Sequence, residues 1–180
     1  MNFLSEPKTD LVPNSVLEDE QVATAAAFVD ELILLGVLQP LPPGERLRAN
    51  CPLFCVPKPG QPGEWRIIAD MKKGGQNAHI GPDPVHLCRP CDVVPHLYTG
   101  GWSAVADASK FFYNFPTRKE ERAFLGTIHP STGLHLWYVG LPMGSAASPA
   151  IACKFGSGFL RALCEEEPVF QGKPIENTLG

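Results

Sequence analysis

Charge and long apolar runs are both scarce in this sequence. Only 19% of its 180 residues are charged, while 44% are hydrophobic, so the chain reads as folded, about one ordinary domain or two small subdomains sharing a core. The longest apolar run, residues 32–38 counting Gly36, falls far short of the roughly 20 residues that cross a bilayer. A membrane span is not expected. The opening residues 1–6 lack the basic and apolar regions of a secretory signal, and the expected setting is a reducing intracellular one, nucleus or cytoplasm undecided. What is abundant is punctuation. With 19 Pro and 17 Gly, the chain suits many short elements joined by fixed turns better than a helical bundle.

A net charge of −4 argues against a nucleic-acid binder until its distribution is considered. Residues 1–31 hold seven acids against Lys8, and residues 165–180 hold four acids against Lys173, which leaves residues 32–164 at +5. A basic middle between acidic ends keeps phosphate recognition in play. The six cysteines include Cys51 and Cys55, with three residues between them, and Cys88 and Cys91, with two, a spacing that raises a zinc site. Cys55 lies inside the apolar stretch Leu53-Phe54-Cys55-Val56, which reads as a strand, and free thiols are the stronger reading.

Residues 1–17 look like a polar leader without periodicity. A helix is expected from Glu18, since Val22, Ala25, Ala26, Val29, Leu32 and Ile33 recur at three- and four-residue spacing and Gly36 and Pro40 supply a stop. Strand candidates at 53–56 and 65–69 flank a Pro- and Gly-rich turn and read as a hairpin with Lys58 at its tip and Arg66 on the returning strand. Residues 71–101 read as loop with one short helix near 92–97, and 103–106 as a strand leading to Asp107. A further hairpin is expected over 123–139, turning at Pro130-Ser131-Thr132-Gly133. A last helix runs from Pro149 to about 164, with Ser148 as the N-cap candidate and Ile151, Phe155, Phe159 and Leu163 on its apolar face. Residues 165–180 form an acidic irregular tail.

Three segments carry chemistry when taken together. Lys58 and Arg66 on adjacent strands can hold a triphosphate, Arg by its bidentate fork and Lys as a point charge, although two solvated surface cations are the plainer alternative. Asp107 at a strand end can enter the shell of Mg²⁺, which takes one or two protein carboxylates plus substrate phosphates. Leu141-Pro142-Met143-Gly144-Ser145-Ala146-Ala147-Ser148-Pro149 is a small-residue loop running into a helix start, where a ligand can approach the backbone closely.

In this order and spacing the segments resemble the reverse transcriptases of retroelements and retroviruses. Gly36-Val37-Leu38-Gln39-Pro40, Pro52 to Lys58, and Trp65-Arg66-Ile67-Ile68-Ala69-Asp70 followed by Asn77 resemble the fingers of that family; residues 105–116 resemble its motif A, and residues 141–149 its motif B. The resemblance covers roughly residues 20–163. It implies an α+β right-hand polymerase fold, with fingers at about 32–82 and 117–146 and an incomplete palm, a small antiparallel sheet backed by helices, at about 83–116 and 147–164. Lys58 and Arg66 would touch the incoming triphosphate, Asp107 would hold metal, Ala108 would lie beside the nucleotide, Phe112 would crowd the sugar 2′ position, and Met143 and Gly144 would line the nucleotide pocket. The activity implied is RNA-directed DNA polymerisation, in which Mg²⁺ ions assist attack of a primer 3′-hydroxyl on the α-phosphate. The partners would be an RNA or DNA template with primer, deoxynucleoside triphosphates and the remainder of a polyprotein.

The family's motif C, an aromatic residue, any residue and two aspartates, has no counterpart, since no Asp follows Asp107. The chain is therefore expected to be a fragment, inactive alone. The alternatives are a nucleic-acid-binding remnant without catalysis, or a zinc-stabilised interaction domain.

Overall fold

The computed structural model describes residues 3–7, 10–81, 85, 91, 94 and 109–166, with side chains as far as Gly158 in the last helix. The chain divides into two compact units, Met1–Asp83 with Ala104–Ser148, and Pro84–Ser103 with Pro149–Gly180. The strand expected at 103–106, the short helix expected near 92–97 apart from residue 94, and residues 167–180 of the expected tail fall outside the described residues; Glu165 and Glu166, expected to open that irregular tail, are the last turn of the final helix.

Helix α1 spans Asp19–Leu34 and buries Ala25, Val29 and Leu32, the stripe that the sequence spacing marks. Its start is fastened by the Glu18 N–H, which donates to Gln21 Oε1 at 3.3 Å. Its end is a Schellman turn: Gly36 at φ +70° lets its own N–H reach Ile33 O at 2.9 Å and the Val37 N–H reach Leu32 O at 2.9 Å. The next residues, Leu38–Pro40, form strand β1. Strands β2, Leu53–Pro57, and β3, Trp65–Ala69, pair antiparallel with Leu53 opposite Ala69 and Pro57 opposite Trp65, as expected of the first hairpin. The second hairpin is shorter than its expected bounds, with β4 at Gly126–Ile128 and β5 at His135–Tyr138. Its turn closes through the Gly133 N–H, which donates to His129 O at 2.9 Å.

One pairing spans the chain. β1 adds to β5 rather than to a neighbour in sequence, giving a three-stranded sheet in the order β1-β5-β4 beside the two-stranded β2-β3. Leu32, Leu38, Leu53, Leu125, Leu136 and Tyr138 are fully buried or nearly so, and removing each such side chain from water stabilises the fold by roughly 1.5–3 kcal/mol.

The described residues before α1 form no helix and show no periodicity, yet they are bound to the rest of the fold at several points. The Leu4 N–H donates to His79 O at 2.7 Å, and Phe3 sets its ring edge on Phe124 at 5.9 Å. Asn50, fully buried, receives the Val12 N–H on Oδ1 and donates from Nδ2 to Val12 O, both at 2.7 Å. Asn14 likewise donates to Ile128 O and accepts the Leu53 N–H, each at 2.9 Å. Two amide side chains thus do the work of a strand ladder.

Helix α2 covers Ser148–Glu166. Ser148 is its first helical residue rather than a cap whose hydroxyl faces the helix, and that hydroxyl turns back to donate to Pro142 O at 3.1 Å. On the expected apolar face Ile151 is half-buried and Phe155 is 53% exposed.

Candidate nucleotide-binding site

The site begins with the pleat of the β2-β3 hairpin. Cross-strand partners share a face, so Phe54 with Ile68 and Val56 with Arg66 point to one side, while Leu53, Cys55, Ile67 and Ala69 point to the other. Arg66 is exposed among the half-buried Phe54, Val56 and Ile68. Lys58 follows the strand at the tip, where its N–H donates to Glu64 O at 2.9 Å and its ammonium meets Glu64 Oε2 at 2.7 Å. The two cations are diagonal to one another, Lys58 lying two residues beyond Val56, the cross-strand partner of Arg66, and Lys58 already carries a carboxylate partner.

Beyond β3 the chain turns sharply. Asp70 Oδ1 accepts the N–H groups of Lys72 and Lys73 at 3.1 and 2.9 Å, an Asx-type turn that closes the strand. A 3-10 turn follows at Gln76–His79. Gln76 is fully buried and its Nε2 donates to Asn50 O at 2.9 Å and to Phe124 O at 3.1 Å, tying this turn to the segments before β2 and β4. Asn77 faces the other way. Its Nδ2 donates to Gly144 O at 3.0 Å, and its Oδ1 accepts the Ala146 N–H at 2.8 Å.

Those two atoms belong to the small-residue loop before α2. Gly144 has φ +114°, and a β-carbon there would overlap the carbonyl oxygen of Ala69, the last residue of β3. Glycine is required for both reasons. Within the loop, Ser145 Oγ accepts the Ala147 N–H at 3.2 Å, and Ser145 O accepts the Ser148 N–H at 3.1 Å.

The end of the segment resembling motif A joins the same loop. A 3-10 turn at Phe111–Asn114 follows Lys110, which holds the left-handed conformation at φ 54° and pairs with Glu31 of α1. Phe112 is half-buried there, its ring 6.3 Å from that of Phe111. The chain then runs antiparallel to the residues after β5: the Thr117 N–H reaches Val139 O at 2.7 Å, and the Leu141 N–H reaches Phe115 O at 2.7 Å. Burial, with the negative charge of Glu31 adding, pushes the Tyr113 hydroxyl up to about 12.

Of the expected site residues, Lys58 and Arg66 share the hairpin, and Met143 and Gly144 lie on the loop seated at that hairpin's far end. Gly144 meets Ala69, three residues past Arg66, which is roughly 10 Å of extended strand. Phe112 sits on the turn leading into the strand-like pairing with Leu141. Asp107 and Ala108 lie outside the described residues, as does Cys88. Cys51 is fully buried, and burial, with the Asp70 charge adding, pushes its thiol well up. Among the described residues no group of three or more His, Cys, Asp or Glu stands together as a metal site. Sequence reasoning noticed Asn77 only through the resemblance and gave it no role; its spacing from the loop leaves no local pattern to read.

Helices with small antiparallel sheets make this an α+β fold. A foamy viral protease-reverse transcriptase, solved in complex with double-stranded DNA, is similar to this chain with a TM-score of 0.71 and 19% sequence identity, over 88% of this chain and 26% of that one. The chain thus spans about a quarter of that protein's length. No family model matches the sequence, and no curated protein is similar to it in sequence. The expected α+β class and the reverse-transcriptase-like fold are what the structure and this likeness bear out. No helix among the described residues is long and apolar enough to cross a membrane.

Proposed function

We propose that this chain is the fingers and partial palm of a retroelement reverse transcriptase, binding a template-primer duplex and a deoxynucleoside triphosphate without extending the primer by itself. The observation that carries this reading is the seating of Gly144 on Ala69, which joins the loop resembling motif B to the hairpin that bears Lys58 and Arg66. In this reading Arg66 grips phosphate oxygens through its fork, Lys58 adds a point charge in exchange for its pairing with Glu64, and Met143 and Gly144 bound the base and sugar. Phe112 selects against a ribose hydroxyl. Asp107 is the carboxylate that would enter a Mg²⁺ shell, and with no Asp after it the chain supplies too few hard oxygen ligands for a two-metal site.

Fluorescence anisotropy with a labelled RNA–DNA template-primer tests the reading. Binding should weaken steeply with salt, tighten when the complementary deoxynucleotide is added with Mg²⁺, and yield no extended product. Absence of duplex binding at low salt overturns the reading. Template-dependent extension that disappears in Asp107→Ala overturns the claim that the chain is inactive alone.

A further inference from the structure

The loop at 141–148 is anchored at its ends, by the buried Leu141 and by the Ser148 hydroxyl on Pro142 O, but its middle carries little side chain to hold it. Gly144, Ser145, Ala146 and Ala147 have short side chains or none, so the loop's position relative to the hairpin depends on bonds to its backbone. Two come from a single side chain, that of Asn77, which is 67 and 69 residues away in sequence from the groups it binds. One half of its amide donates to Gly144 O and the other accepts from the Ala146 N–H, so only a group with donor and acceptor side by side can serve. Asn77 is itself well founded. Its N–H donates to Met71 O at 3.1 Å, and the neighbouring Gln76 anchors the turn to two carbonyls in the core. Successive amides therefore face inward to the core and outward to the loop.

We propose that Asn77 is a positioning residue: its amide fixes Met143 and Gly144 relative to the end of the Arg66 strand, and the donor and acceptor halves are both needed for tight nucleotide binding. This rests on the nucleotide-binding reading above. A merely adhesive contact would tolerate any side chain of similar shape. A two-way amide clamp would not, and Asn77→Asp separates the cases. Its ionised carboxylate still accepts the Ala146 N–H but turns an oxygen toward Gly144 O, whereas its protonated form can donate there again.

The experiment measures the affinity of the complementary deoxynucleoside triphosphate for the full chain on a template-primer between pH 4.5 and 8, each variant taken as a ratio to the unsubstituted chain. Exchange of the Ala146 amide hydrogen is followed in parallel. Asn77→Ala should weaken the nucleotide about tenfold at every pH, on the scale of two lost hydrogen bonds, and speed Ala146 exchange. Asn77→Asp should be weakened at least as much at pH 8 and recover toward the unsubstituted chain as the pH falls into the carboxyl range, while Ala146 stays protected throughout. Unchanged affinity in Asn77→Ala, or a pH-independent deficit in Asn77→Asp, overturns the positioning role and leaves the binding function standing. No nucleotide binding by the unsubstituted chain overturns the function and the role with it, and Ala146 exchange then still reports whether the clamp exists. Because Asn77→Asp is close to isosteric, it keeps the test valid should Asn77→Ala fold poorly.

Discussion

The carbonyl oxygen of Ala69 fills the space that a β-carbon at Gly144 would need. The hairpin end and the loop can therefore touch only as backbone against backbone, and the contact ties residues 75 positions apart into one surface. Gly144→Ala must displace the loop or the strand end, and it also places an L side chain at φ +114°, where such residues are strained. A loss of about 1–3 kcal/mol is expected from the strained backbone and overlap. Gly133→Ala is the control, since Gly133 is also left-handed at φ +71° but has open space around its missing side chain. It should lose only about 1–2 kcal/mol. Urea midpoints of both variants, with nucleotide affinity measured alongside, check this: Gly144→Ala should impair binding and Gly133→Ala should not.

Asn50 does for the N-terminal segment what Asn77 does for the loop. Its two 2.7 Å bonds to Val12 are made by a fully buried side chain, so Asn50→Ala leaves a polar backbone pair short of partners as well as a small void. A loss of about 1–3 kcal/mol is expected. The more specific consequence is local. The segment before α1 should become the first site cut by a protease at low dose, while β5 amides keep their hydrogen-exchange protection. Equal loss of protection everywhere would mean that Asn50 supports the core as a whole.

Both asparagines explain what was readable in the sequence and what was not. α1 was legible because Ala25, Val29 and Leu32 repeat at the helical period, and the β2-β3 hairpin because Pro and Gly punctuate two apolar runs. Such signals are local. β1 was invisible: Leu38–Pro40 is three residues long, ends in proline, and pairs with β5 almost a hundred residues on, so its strand character comes from its partner. The N-terminal segment reads as a leader for a similar reason, being held by side-chain amides that leave no periodic trace. At the site, the hairpin cations Lys58 and Arg66 and the small-residue loop with Met143 and Gly144 were readable from the residues, and the resemblance supplied their roles, but the pairing of Lys58 with Glu64 and the clamp from Asn77 are facts of three-dimensional neighbourhood.

Stability should fall in alkali through buried hydroxyl and thiol groups. In the unfolded chain Tyr113 ionises near its ordinary value of 10.0, whereas in the fold burial and the Glu31 charge push it up to about 12. Between those values the unfolded chain binds fewer protons than the folded one, so unfolding becomes easier as pH rises, and the effect saturates above the upper value. Below pH 10 the group contributes no slope. Cys51 and Tyr138 are shifted in the same direction by burial and add to the trend, Cys51 from about pH 9 upward. Melting temperatures recorded from pH 8 to 11.5 should therefore decline, and Tyr113→Phe should decline less steeply above pH 10. An identical slope in that variant would mean that Tyr113 is not protected from ionisation by the fold.

The pairing of Lys58 with Glu64 sets up a competition that can be measured. Lys58 Nζ lies 2.7 Å from Glu64 Oε2, yet the two side chains are 40% and 55% exposed, so water and salt screen the pair and its worth is about 0–1 kcal/mol. A triphosphate arriving beside Arg66 has to draw Lys58 away from that carboxylate and also meets the carboxylate's repulsion. Glu64→Gln removes both obstacles while keeping the size of the side chain. Nucleotide affinity should rise by up to about fivefold at low salt, and the gain should shrink toward nothing as ionic strength approaches 0.5 M. Lys58→Ala should lower affinity, and Lys58→Ala combined with Glu64→Gln should lose most of the gain, because the benefit of removing Glu64 runs largely through the lysine it releases. An unchanged affinity in Glu64→Gln would place the triphosphate away from the hairpin tip and leave Arg66 as the only cation of the pair that meets it.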